Sequence, residues 1–123
     1  MNNSPRILVV EDDRNSRFLI TQILRRIGYE VAEAVDGLDA LRVLHDDHQF
    51  DLIMSDVRME KLDGLSLLRK LKEIYPTIPV MILSVHTKAD WVSEALRRGA
   101  NGCLQKPFSK DQLVEAVQGL APL

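Results

Sequence analysis

Three acids in a row, Glu11-Asp12-Asp13, follow directly on the apolar run Ile7-Leu8-Val9-Val10. Three further apolar runs also lead into residues that can do chemistry: Leu52-Ile53-Met54-Ser55 into Asp56, Val80-Met81-Ile82-Leu83 into Ser84, and Gly102-Cys103-Leu104-Gln105 into Lys106. Carboxylates gathered at adjacent strand ends repel one another, so they must hold protons or bind a cation. A hard cation is the simpler answer. Oxygen donors with no His or Cys beside them suit magnesium, which keeps several waters and takes one or two carboxylates plus a phosphate. A carboxylate can then act as a nucleophile toward phosphorus and form an aspartyl phosphate, provided the incoming charge is offset. Magnesium and Lys106 can do that, and the Ser84 hydroxyl can donate to a phosphoryl oxygen. Few protein groups are needed, because such a transfer is mostly positioning and charge stabilisation.

The elements that must position these residues follow from the apolar pattern. Apolar runs alternate with helix-period segments five times, the signature of a parallel sheet covered on both faces. After Ile7–Val10, the residues Leu19, Ile20, Ile23, Leu24 and Ile27 share one helical face that Gly28 ends. Tyr29 to Glu33 reads as a weaker strand, and Leu38, Leu41 and Leu44 mark the inner face of the next helix. Leu65, Leu68 and Leu71 make a third helix seam with Ile74 at its end and Pro76 just beyond. Trp91, Val92, Ala95 and Leu96 form a fourth that ends at Gly99. The last helix opens at Ser109-Lys110-Asp111-Gln112, which has capping-box spacing, and turns Leu113, Val117 and Leu120 inward. The plan is α/β, (βα)5, a doubly wound five-stranded parallel sheet. In such a sheet ligands collect at the C-terminal strand ends, beside the point where strand order reverses. Asp12 and Asp13 also suit the cap of the first helix.

A chain of 123 residues fits one domain with a real core, and nothing beyond it. The formal net charge of -2 and the scattered Lys and Arg leave no basic stripe to track a phosphodiester backbone, so direct nucleic-acid contact is not expected. The single cysteine, Cys103, cannot close an internal disulfide and reads as a small buried or half-buried core residue. No spanning segment or leader is legible, so no membrane contact is expected and the expected location is cytoplasmic.

The ordered set Ile7-Leu8-Val9-Val10-Glu11-Asp12-Asp13, Asp56-Val57-Arg58-Met59 with Asp63-Gly64, Ser84, and Gln105-Lys106-Pro107-Phe108 resembles the receiver domains of bacterial two-component response regulators across essentially the whole chain. The resemblance implies a flavodoxin-like sheet with strand order 2-1-3-4-5, residues 1–123 as one receiver domain, and any effector domain beyond Leu123. It implies that Asp12 binds the metal directly and Glu11 through water, that the Arg58 backbone carbonyl completes the shell, and that Asp56 both binds magnesium and accepts phosphate from a sensor histidine kinase. Lys106 would pair with the phosphoryl group, with Lys106-Pro107 a cis peptide. Ser84 and the residue at position 103 would be the switch, and the fourth helix, fifth strand and fifth helix the output face, used for a phosphorylation-dependent homodimer or an effector. Arg58 and His86 would tune phosphoryl lifetime, and their pairing resembles receivers that control sigma-54-type transcription activators.

The sequence departs from that family pattern at three positions: Glu60 where proline is usual, Cys103 where an aromatic residue commonly swings inward, and Ser84 for the commoner threonine. Two further readings are an aspartyl-phosphate phosphatase and a degenerate receiver acting only as an interaction module. Arg58, in place of an acid two residues past Asp56, speaks against a haloacid-dehalogenase-type site. The acidic loop after the first strand speaks against a flavin phosphate cradle.

Overall fold

Both faces of the sheet must be covered, because each central strand carries a continuous apolar run of three or four residues rather than an alternating pattern. The computed structural model describes residues 4–57, 63–85 and 89–123, and there the strands are β1 Arg6–Val10, β2 Glu30–Ala34, β3 Leu52–Asp56, β4 Val80–Ser84 and β5 Gly102–Gln105. The helices between and after them are α1 Arg14–Ile27, α2 Gly37–Asp46, α3 Gly64–Ile74, α4 Ala89–Arg97 and α5 Lys110–Leu120. All four pairings are parallel, in the order β2-β1-β3-β4-β5. The alternation of side chains splits the core in two. Leu8, Val10, Ile53, Val80 and Ile82 face α2, α3 and α4 with Leu44, Leu68 and Ala95. Ile7, Val9, Leu52, Met54 and Leu83 face α1 and α5 with Leu24, Leu113 and Val117.

The helix boundaries have local causes. Asp13, Asp36, Asp63 and Ser109 each cap a helix by accepting a backbone N–H from the third residue beyond. The Ser109–Gln112 capping box forms as its spacing predicts. Gly28 takes the left-handed conformation at φ 114° where α1 stops, a geometry that disfavours any side chain with a Cβ.

Three helix faces are narrower than the sequence suggests. Leu19, Leu38 and Leu96 each expose half or more of their surface although they were expected to point inward, while Leu67 is fully buried in α3. The strand β2 also starts one residue later than expected, because Tyr29 is packed in the turn and its hydroxyl donates to the Ala121 carbonyl at 2.6 Å. The side chains of Trp91 and Val92 lie outside the described residues.

Candidate acidic site at the strand ends

Strand order reverses between β1 and β3, and the register of the sheet brings the chemically active residues to that point. Val10 pairs with Ser55, so Glu11 and Asp12 leave β1 level with Asp56, the last residue of β3. Asp56 pairs with Leu83, and Ser84 with Gln105, which sets Ser84 and Lys106 one step further along β4 and β5. The Lys106 amide donates to the Ser84 carbonyl at 2.7 Å and the Val57 amide to the Leu83 carbonyl at 3.0 Å, extending the ladder into both loops.

Carboxylate oxygens of Glu11, Asp12 and Asp56 lie within 4.8 Å of one another. Glu11 is fully buried, Asp56 is half-buried and Asp12 is exposed, so the group opens to solvent on one side. Lys106 reaches in from β5: its Nζ donates a hydrogen bond to Glu11 Oε1 and stands 3.5 Å from Asp56 Oδ2. Burial pushes the Glu11 carboxyl up to about 7, and the charge of Asp56 adds to this while Lys106 pulls it back. Burial alone would lower the Lys106 ammonium, but the Glu11 hydrogen bond and the charges of Asp56 and Glu11 outweigh it and raise its value. Among the described residues, three carboxyl groups thus meet one ammonium at this point. An all-oxygen donor set of this kind is compatible with a divalent metal ion.

The neighbouring aspartate has a different job. Asp13 is the N-cap of α1, its carboxylate accepting the Ser16 amide at 2.9 Å, and it is not one of the three converging carboxylates. The Ser16 hydrogen bonds hold it below the usual carboxylate range. Lys106-Pro107 is cis, as the resemblance implies. Cys103 is half-buried against the α2–α4 side of the core, and burial pushes its thiol up, away from thiolate chemistry. Arg58, Met59, Glu60 and His86 lie outside the described residues.

Two contributors escaped the sequence reading. Gly64 opens α3 directly against the end of β3: its amide donates to the Val57 carbonyl at 2.8 Å, and a Cβ there would sit 2.3 Å from the Asp56 carbonyl oxygen. Arg17, in the first turn of α1, donates from Nη1 to the Glu11 carbonyl at 2.7 Å and from Nε to Glu33 at 3.2 Å. The glycine stood within a recognised motif, so its spacing was a signal. The arginine had none, because its partner Glu33 comes from β2.

Beside Lys106 a cavity of about 340 Å³ is lined by Ser16, Leu19, Ile20, Val85 and Phe108. Leu19, which lines it, is largely exposed and adds apolar surface there. Among the described residues no helix is long and apolar enough to cross a membrane.

Comparison with known proteins agrees with this geometry. The family model described as response regulator receiver domain matches residues 7–118. The transcriptional regulatory protein ZraR of Salmonella typhimurium is 38% identical over 112 residues, which cover 91% of this chain and 25% of that protein. The DNA-binding transcriptional regulator NtrC of Proteus hauseri is 36% identical over 91% of this chain and 24% of its own length. The chain thus spans about a quarter of these relatives. Among solved structures, the chemotaxis protein CheY4 of Vibrio cholerae superposes with a TM-score of 0.90 at 30% identity, covering 95% of this chain and 98% of that one.

Proposed function

The chain belongs to the response regulator receiver domain family, and from that premise we propose that Asp56 is the phosphoacceptor of a two-component signalling switch, charged by a sensor histidine kinase. The observation that supports this most directly is the reach of Lys106 to both Glu11 and Asp56, which brings one cation to the rim of a cluster of three acids. In the transfer an Asp56 carboxylate oxygen forms the new O–P bond as the donor's P–N bond breaks, and the electrons of that bond leave with the imidazole. Lys106 offers its ammonium to the phosphoryl oxygens. Glu11, Asp12 and Asp56, with the Arg58 carbonyl, would hold magnesium, which when bound supplies the positive charge that lets an anionic nucleophile meet an anionic phosphoryl group.

Ser84 then reads the product by donating its hydroxyl to a phosphoryl oxygen, shifting an equilibrium in the loop after β4 and in α4. Cys103, in place of a larger side chain on β5, takes part in that switch. Arg58 and His86 set how long the phosphoryl group lasts. The domain acts as an enzyme only on itself.

The apolar cavity beside Lys106 offers the kinase a contact, and the face made by α4, β5 and α5 carries the output to a homodimer partner or an effector. Likeness to two transcriptional regulators about four times as long supports residues 1–123 as the receiver of a transcription factor whose effector lies outside this chain, working in the cytoplasm. The test is intact-mass spectrometry after incubation with acetyl phosphate and magnesium chloride. The wild-type chain gains one phosphoryl group and Asp56→Ala gains none; an unlabelled wild type, or equal labelling of both, overturns the proposal.

A further inference from the structure

Two of the three converging carboxylates, Glu11 and Asp12, hang on one peptide plane at the end of β1. The Glu11 side chain is buried and held by Lys106. Asp12 is exposed, and among the described residues it has no hydrogen-bond or ion-pair partner of its own. Its place within 4.8 Å of the other carboxylates therefore depends on the backbone that carries it.

That backbone is gripped from both sides. The Glu11 amide donates to the Ala34 carbonyl of β2 at 3.1 Å, the last rung of the β1–β2 ladder. The Glu11 carbonyl, which begins the next peptide, accepts from Arg17 Nη1 at 2.7 Å. The guanidinium is locked in turn: its Nε donates to Glu33 Oε1 at 3.2 Å, and Arg25 stands 3.5 Å from the other Glu33 oxygen. With 16% of its side chain exposed, Arg17 is largely shielded from water, unlike the surface ion pairs elsewhere on the helices.

We propose that Arg17 is a positioning residue for the cation site, fixing the Glu11–Asp12 peptide so that Asp12 stays in the carboxylate cluster. The inference rests on the reading of the cluster as a metal site. Guanidinium is suited to the task because its planar fork meets two acceptors at once, the Glu11 carbonyl on one side and Glu33 on the other. Its effect has a diagnostic sign. A positive charge this near an acidic site repels a metal cation, so if charge were all Arg17 contributed, its removal would tighten metal binding. If it positions Asp12, removal weakens binding.

The test is calorimetric titration of the metal-free chain with magnesium chloride, with urea denaturation of the same metal-free samples alongside. Arg17→Ala should lose about tenfold in magnesium affinity, the usual scale for removing a group that orients a ligand. Arg17→Lys, which keeps the charge and cannot span both acceptors, should fall between it and wild type. A lower urea midpoint with magnesium affinity unchanged or tighter would show a purely structural arginine and overturn the inference. If Arg17→Ala does not fold, Arg17→Lys decides alone, and affinity within about twofold of wild type overturns it. Failure of the wild-type chain to bind magnesium overturns the metal-site reading and this inference with it.

Discussion

At the scale of single residues, the strand ends divide their labour among side chains of the same type. Asp12 and Asp13 are neighbours, yet one joins the carboxylate cluster and the other caps α1. Lys106 is the cation that Glu11 and Asp56 share, and the role proposed for it in transfer separates from its role in holding those two carboxylates together. Lys106→Ala should slow labelling by acetyl phosphate about a hundredfold, the scale on which a preorganised charge at a developing oxyanion matters. The same variant should bind magnesium no more weakly than wild type, since an ammonium that leans on Glu11 and Asp56 competes with a metal for their oxygens. Labelling kinetics and calorimetry check the two halves. The acids, the serine and the lysine were legible from sequence because each ends an apolar run and parallel strands bring their C-terminal ends together. Arg17 was not, because its meaning comes from contacts with the Glu11 carbonyl and Glu33 that no local spacing marks.

At the scale of elements, the junction of β3 with α3 is the tightest constraint. The helix begins with Gly64 pressed on the Asp56 carbonyl, so a shift of that backbone is felt directly by α3. Gly64→Ala should destabilise the chain by about 1–3 kcal/mol, the range for forcing an extra methyl into a packed site. Urea denaturation measures that loss, and intact-mass labelling of the folded variant should show slower phosphorylation as the Asp56 backbone is pushed aside. The order of elements and most of their ends could be read in advance because caps and glycines mark them. Helix faces were harder: Leu19 and Leu38 fit a helical apolar period but stay exposed, since periodicity reports which residues share a face and not how wide a strip the sheet covers. Leu19 instead lines the cavity beside Lys106.

For the molecule as a whole, acid should act through surface carboxylates away from the site. Asp39 is held below the ordinary range by the Val35 amide and Arg42, Asp47 by the Gln49 amide and Arg6, and Glu94 by Arg98. A depressed folded value contributes stability that is present above the unfolded value and is lost as pH falls through the folded one. The urea midpoint of the metal-free chain should thus drop from about pH 4 downward, and the triple variant Asp39→Asn, Asp47→Asn, Glu94→Gln should flatten that drop. Glu11 works in the opposite sense but at higher pH: with its value raised to about 7, its contribution is complete below the ordinary carboxyl value of 4.5 and fades as pH rises through 7. The two effects occupy different windows. The hydrogen bond from Tyr29 to Ala121 ties the end of α5 to the turn before β2, at the edge of the sheet opposite the carboxylates. A strand of five residues is about 16 Å long, and that span lies between Asp56 and the point where the backbone leaves α5. If Asp56 is phosphorylated as proposed, the end of α5 can register it only through a change of shape carried along that length.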